Sequence, residues 1–365
     1  MSRRLLLPLL IGFCLVGLPF RSPAPLIYRP GEGWTYEPVG SEGRWTRTRA
    51  KDQMDVAQAA FDKKDYGLAL RAAKRVSKVW PLSDYAPQAQ YLAGRCYEEK
   101  GAPEKAFKEY QKILEKNPKV PNYPEILERQ YEIANQFLGG RWFKLWGYIP
   151  VPPSMDRTAD MYGKVVKNGP YSEIAPQAQL KIGEAHEKKK TLGIKTPDYP
   201  SAAKAYETAA DRYHDRPKVA SEAFYRQGLA YNKQAQTAEY DQNTAGQAIA
   251  SFTDFMTLFP NDPRVSDAQN MITDLKTEQA RGYFRIAQFY EKRRKYKGAI
   301  IYYNEAWLLD PNSDLGTQAR TKIDELKPRT VAGAAALPQT TPAATPAKEP
   351  LKEPAPAPAK DSGAK

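Results

Sequence analysis

With 365 residues the chain is long enough for one large domain or two ordinary ones, and a mean hydropathy of −0.67 marks it as soluble. Its net charge of +13 is spread along the chain: runs such as Lys188-Lys189-Lys190 and Lys292-Arg293-Arg294-Lys295 fall at expected helix ends, where cations suit the macrodipole, so no nucleic-acid partner is expected. Two cysteines, Cys14 and Cys96, exclude a disulfide framework.

The first residues, MSRRLLLPLLIGFCLVGLPFRSPA, set Arg3-Arg4 before an apolar run from Leu5 to Phe20 that Pro8, Gly12, Gly17 and Pro19 interrupt. A membrane span wants ~20 apolar residues, so residues 1–24 read as a secretory signal peptide with a cleavage site near Ser22-Pro23-Ala24. Cys14 offers lipidation as an alternative, although Phe13 stands where lipoprotein signals favour a small residue. Residues 25–49 read as an irregular arm in which Trp34, Tyr36 and Trp45 alternate with Gly, Pro and Arg. The arm docks on a partner or covers the first repeat.

From residue 50 the pattern is helical and punctuated by proline. A small residue precedes a proline by twelve positions in five units: Ala69 to Pro81, Ala106 to Pro118, Thr158 to Pro170, Ala248 to Pro260 and Ala299 to Pro311. Four residues after the small residue comes an aromatic, as at Tyr110, Tyr162, Phe252 and Tyr303; Tyr206 stands in the same relation to Ala202. The small residue lets two helices approach, the aromatic fills the gap toward the next hairpin, and the proline blocks further helix. The spacing predicts hairpins at 50–82, 83–120, 123–170, 172–217, 218–262 and 264–311, with insertions at 139–153, 188–198 and 235–244. The fourth unit departs from the ruler, because Pro217 arrives three residues late. A long helix is expected over 265–294, and a helix near 315–326 caps the stack. The expected fold is thus all-α, a right-handed α-solenoid of about six tetratricopeptide-like hairpins. Residues 327–365 hold eight prolines among Ala, Lys and Thr and read as a disordered tail.

Catalytic groupings are not apparent. His186 and His214 lie in different repeats without metal-ligand spacing, there is no Gly-rich phosphate loop and no GxSxG, and no cofactor is expected. Binding is the remaining use of such a scaffold, because first helices line a groove. Its positions read Lys51, Met54 and Gln58, then Gln88, Tyr91 and Arg95, and in the last unit Arg281, Phe284 and Gln288. Tyr91 and Arg95 suit an extended segment bearing an aromatic residue, by stacking and a charge-assisted hydrogen bond. The insertion GGRWFKLWGYIPVPP carries Trp142, Phe143, Trp146 and Tyr148 beside Arg141 and Lys144, which suits a protein hot spot, a membrane interface or a loop folded over its own hairpin.

Two phrases carry a family resemblance. Phe289, Tyr290, Lys292, Arg293, Tyr296, Ala299 and Ile300 form the pattern FYxKRxxYxxAI, and residues 80–101 read WPLSDYAPQAQYLAGRCYEEKG. Both resemble the BamD family, solenoid lipoproteins of the outer-membrane β-barrel assembly machine, over about 50–326. The resemblance implies a scaffold at the periplasmic face of the outer membrane. Its first repeats would receive unfolded outer-membrane protein segments, and its last would hold a barrel-forming subunit with periplasmic domains. It makes the 281–311 face the docking surface, with Arg281, Phe284, Arg293, Arg294 and Tyr303 as contacts, although family members tend to carry Arg where this chain has Tyr303. The alternatives are a coordinator resembling the Tol-associated repeat protein, and a membrane-surface adaptor using the 139–153 loop.

Overall fold

A computed structural model of the chain describes residues 26–30, 33–36, 45–145, 149–191, 193–237 and 242–335. The signal segment with Cys14, the residues Trp146 and Tyr148, and the chain beyond 335 lie outside the described residues. Thirteen helices and six short strands occur among those described, and the fold is all-α with tetratricopeptide-type hairpins. The chain forms two compact units, divided at Leu275.

The first unit opens with an antiparallel strand pair, β1 (Leu26–Arg29) and β2 (Gly33–Tyr36), so this part of the arm is regular rather than irregular. Tyr28 and Trp34 face each other across it at 5.4 Å. Trp45 packs against the core of the first hairpin, where its carbonyl accepts from Gln53 at 3.2 Å and Arg71 lies over its ring. The end of the arm therefore covers the first repeat.

Five hairpins follow in this unit. They are α1 (Ala50–Asp62) with α2 (Tyr66–Val79), α3 (Tyr85–Glu99) with α4 (Pro103–Lys116), and α5 (Tyr123–Leu138) with α6 (Met155–Asn168). Next come α7 (Ala175–Glu187) with α8 (Tyr199–Arg212) and α9 (Pro217–Thr237) with α10 (Gln242–Leu258). In all but the fourth hairpin the second helix stops two residues before the ruler's proline, at Val79, Lys116, Asn168 and Leu258. Pro217 in the fourth hairpin does something else: it opens α9, where its missing N–H costs nothing and its fixed φ suits the first helical turn. Its late position thus follows from a different task.

The ruler's small residues Ala69, Ala106, Thr158, Ala202 and Ala248 are all fully buried. Their aromatic partners sit somewhat differently from expectation. Rather than reaching mainly toward the next hairpin, Tyr110, Tyr206 and Phe252 lie against a glycine on the first helix of their own hairpin. A Cβ placed on Gly94, Gly183 or Gly228 would come within 2.3, 2.5 and 2.6 Å of the respective ring. The second, fourth and fifth hairpins are thus closed by an aromatic face seated on bare backbone.

The turns inside the first three hairpins share one ending. After α1, Lys64 takes φ 61° and the amides of Lys64 and Asp65 reach back to Phe61 and Ala60 carbonyls at 2.8 and 2.9 Å. After α3, Gly101 does the same at φ 65°, with its own amide and that of Ala102 returning to Glu98 and Tyr97. This is the Schellman arrangement, which satisfies the last carbonyls of a helix. Two insertions form strand pairs at these turns: β3 (Phe143–Leu145) with β4 (Ile149–Val151), and β5 (Lys190–Thr191) with β6 (Ile194–Lys195).

The long helix α11 (Val265–Lys292) begins in the first unit, where Ala268, Ile272 and Leu275 join the core of the fifth hairpin. The second unit contains the rest of α11, α12 (Tyr296–Leu309) and α13 (Asp314–Ala335). Its core holds Phe284, Ala287, Ala299, Tyr303, Ala306, Ala319, Ile323 and Leu326. The capping helix runs past Leu326 and through Pro328 to Ala335, so helix continues beyond the boundary expected at residue 327. Buried Leu326, and Arg329 lying over the Tyr296 ring at 5.9 Å, hold this stretch to the core in spite of the proline.

Candidate protein-binding surfaces

The predicted pair Tyr91 and Arg95 does come together, on α3, but as part of a network that joins two hairpins. Arg129 on α5 donates from Nε to the Tyr91 hydroxyl at 2.9 Å, from Nη1 to Glu98 at 3.0 Å and from Nη2 to Glu125 at 3.0 Å. The Tyr91 hydroxyl in turn donates to Glu125. That hydroxyl, then the Arg129 guanidinium, hold the Glu125 carboxyl below its ordinary range in spite of partial burial. Burial alone would lower Arg129, yet its bonds to Tyr91 and Glu125 raise it further. Arg95 lies over the Phe61 ring at 5.6 Å and stands 3.9 Å from Glu98. Charge-assisted bonds of this kind are the strong ones, so the cluster fixes the register of α3 against α5.

Beside the network a cavity of about 360 Å³ is lined by Glu98, Glu125, Glu128, Arg129, Glu132, Ile133 and Gln136. Four carboxylates face one guanidinium, which makes the wall acidic. Glu125, Glu128 and Glu132 recur at i, i+3 and i+7 on α5, a spacing that could have revealed one charged helix face.

In the 139–153 insertion, Phe143 is buried and stacks on Phe137 at 4.2 Å with an 8° interplanar angle. Arg157 covers its other side at 4.3 Å. The loop is therefore folded over its own hairpin through Phe143, while Trp142 remains 56% exposed.

The second unit divides its aromatics sharply. Tyr303 is fully buried, meets Phe284 edge-on at 5.0 Å and donates its hydroxyl to Glu291 at 2.6 Å. Burial, then the Glu291 carboxylate, push the Tyr303 phenol well above its ordinary value. Phe284 and Tyr303 are therefore core residues rather than docking contacts, since the ruler that places Tyr303 turns it inward. Tyr283, Tyr302 and Tyr290 form a ring stack, with Tyr302 at 6.2 Å from Tyr283 and 5.3 Å from Tyr290.

What the unit presents to solvent is different. Phe289 is 50% exposed and carries the Arg293 guanidinium over its ring at 4.2 Å. Ile286 is exposed beside it on α11, and Ile301 and Leu308 are exposed on α12. Arg281 is exposed and paired with Glu278, and Arg293 and Arg294 are exposed at the turn. An apolar face with a cation seated on an aromatic is the composition of an interface centre.

Residues 154–307 match the model of a family described as an outer membrane lipoprotein, YfiO, and residues 55–121 match a tetratricopeptide-repeat model. The later repeats are similar to outer membrane lipoproteins. The YfiO match spans α6 to α12 and so includes the exposed Phe289 and Arg293. Together the two matches support a BamD-like tetratricopeptide-repeat protein that binds proteins, with an envelope location. No curated protein matches the chain. Solved structures with a similar course include the C-terminal part of a TPR repeat-containing protein from Cytophaga hutchinsonii, at 12% identity over 74% of this chain and 87% of that one, with a TM-score of 0.32. Another is a tetratricopeptide repeat protein from Parabacteroides merdae, at 12% identity over 75% and 98%, with a TM-score of 0.29. Likeness at this level says nothing about partners.

Proposed function

We propose that the chain is a non-catalytic scaffold at the periplasmic face of the outer membrane that binds proteins during assembly of β-barrel proteins. The match of residues 154–307 to an outer membrane lipoprotein family carries the reading. The exposed face around Ile286, Phe289 and Arg293 is the docking surface for a barrel-forming subunit with periplasmic domains. The acidic cavity on α5 suits unfolded outer-membrane protein segments that carry basic side chains beside aromatic ones. The signal segment directs the chain out of the cytoplasm, and acylation at Cys14 would anchor it.

The test is co-purification. Affinity-tagged full chain, recovered from detergent-solubilised envelopes, should bring with it a large heat-modifiable β-barrel protein. Recovery of Tol–Pal components or peptidoglycan enzymes in its place would overturn the reading.

A further inference from the structure

A second cavity, of about 440 Å³, opens where the internal turns of the second and third hairpins meet. Its lining includes Lys105, Lys108, Arg141, Trp142, Lys144 and Arg157, with Glu104 the single carboxylate among its residues. Glu104 is already engaged: it accepts from the Lys144 amide and lies 3.6 Å from Arg157. Arg141 donates to neutral oxygens, those of Gln136 and the Gly101 carbonyl. Among the described residues no carboxylate pairs with the Lys108 or Lys144 ammonium. The basic run at 188–190 behaves otherwise, since Lys188 pairs with Glu184 at 2.6 Å and Lys189 with Asp156 at 2.9 Å.

Placement makes this concentration of charge harder to explain by folding. Lys105 and Lys108 follow the start of α4, and Arg157 follows the start of α6. Cations stabilise helix C-termini and oppose N-termini, so Lys105 and Arg157, both in a first turn, run against the macrodipole. The α4 terminus also has no side-chain cap: Pro103 has no N–H and the Lys105 amide returns to the Ala102 carbonyl at 3.0 Å, which leaves the Glu104 amide as the open donor of this turn. Ammonium and guanidinium groups therefore converge with one sign beside the uncapped start of α4, and an anion would complete the site. The cavity lies at the internal turns and is formed by α4, α6 and the insertion, so it is separate from the acidic wall on α5.

We propose that this cavity takes the phosphate of an anionic phospholipid headgroup, so that the edge of the scaffold bearing the internal turns of hairpins two and three rests on a membrane surface. Trp142 favours the lipid over a soluble phosphate. Its indole is half exposed at the rim, held there by the neighbouring Phe143 anchor, and an amphipathic ring beside cations suits the headgroup layer. The inference is independent of which protein the scaffold binds.

Vesicle flotation tests it, using the full chain with Cys14→Ser so that acylation does not contribute. Vesicles of phosphatidylcholine with 30% phosphatidylglycerol, about three lipids in ten, should bind the chain more tightly than phosphatidylcholine alone. Lys108→Glu with Arg141→Glu should weaken that binding roughly 30-fold or more, from about a fivefold loss for each cation removed near an anionic surface. The equal charge change Lys164→Glu with Lys167→Glu, at exposed positions on α6, should leave binding within about threefold of the parent, and Trp142→Ala should lower it without altering the preference for the anionic lipid. Circular dichroism confirms that each variant is folded. Equal losses in both charge-reversed pairs would overturn the proposal by showing unspecific attraction. Millimolar inorganic phosphate that displaces the chain from vesicles, or that raises the melting temperature of the parent but not of the cavity variant, would assign the cavity to a soluble phosphate and overturn the lipid.

Discussion

Gly94→Ala is a sensitive probe of how the hairpins close. A methyl group there would lie 2.3, 2.8 and 2.9 Å from three atoms of the Tyr110 ring, all closer than carbon atoms tolerate. Tyr110 is fully buried and cannot swing aside, so α3 and α4 must part or the ring must leave its rotamer. Overpacking of this kind costs about 1–3 kcal/mol, and the better helix propensity of alanine returns about 1 kcal/mol at most. The net change is destabilising by up to about 2 kcal/mol, a fall of up to about 8 °C in Tm for a cooperative unit of this size. Gly163→Ala supplies the control. It lies in α6 with nothing within 4 Å of an added Cβ, so propensity acts alone and the same substitution should raise Tm slightly. Differential scanning calorimetry of the two variants gives shifts of opposite sign. Shifts of the same sign would refute the glycine–aromatic closure.

Other consequences can be measured in the same way. Arg294 occupies φ 58°, a region that costs a side chain about 1–2 kcal/mol, so Arg294→Gly should be neutral to stabilising by up to about 1 kcal/mol in urea melts; a clear loss would mean that its side chain holds the turn. Asp262 has its carboxyl lowered to about 2, first by the Arg264 guanidinium that donates to both of its oxygens. A folded value below the ordinary 3.8 means that its stabilisation is complete above about pH 4 and is lost as pH falls toward 2. Asp262→Asn should flatten the Tm profile across that window and leave its slope near neutrality unchanged, whereas an unchanged acid limb would contradict the pairing. Arg264 also reaches Glu222 and Ser221, so Arg264→Ala should cost about 1.5–3 kcal/mol by chemical denaturation.

The repeat architecture was legible because its determinants are local. A small residue, an aromatic four positions on and a proline twelve positions on act locally along the chain, and in the five units that keep the proline spacing the second helix ends two residues before that proline. Side-chain direction was less legible. Tyr303 and Phe284 carry the chemistry of a contact, but their positions relative to Ala299 turn them into the core, while Ile286 faces solvent. Nor does spacing along one helix show that Gly94 faces Tyr110 or that Arg129 reaches Tyr91, since those pairs join residues on different helices. The basic cavity was hidden for the same reason: Lys108 and Arg141 are distant in sequence and meet only when two turns stack. Phe143 is one of several aromatics in its insertion, and only the fold distinguishes it as the anchor that leaves Trp142 outside.

The scaffold reading meets its most direct test at Phe289. A photoreactive phenylalanine analogue placed there, in the full chain expressed in growing cells, reports whatever docks on the exposed face of α11. The account predicts one dominant adduct whose partner changes its gel mobility on heating, as β-barrels do, and which weakens when Arg293→Glu is added. An adduct only with proteins that are not barrels, or equal labelling from the buried position 284, would contradict it.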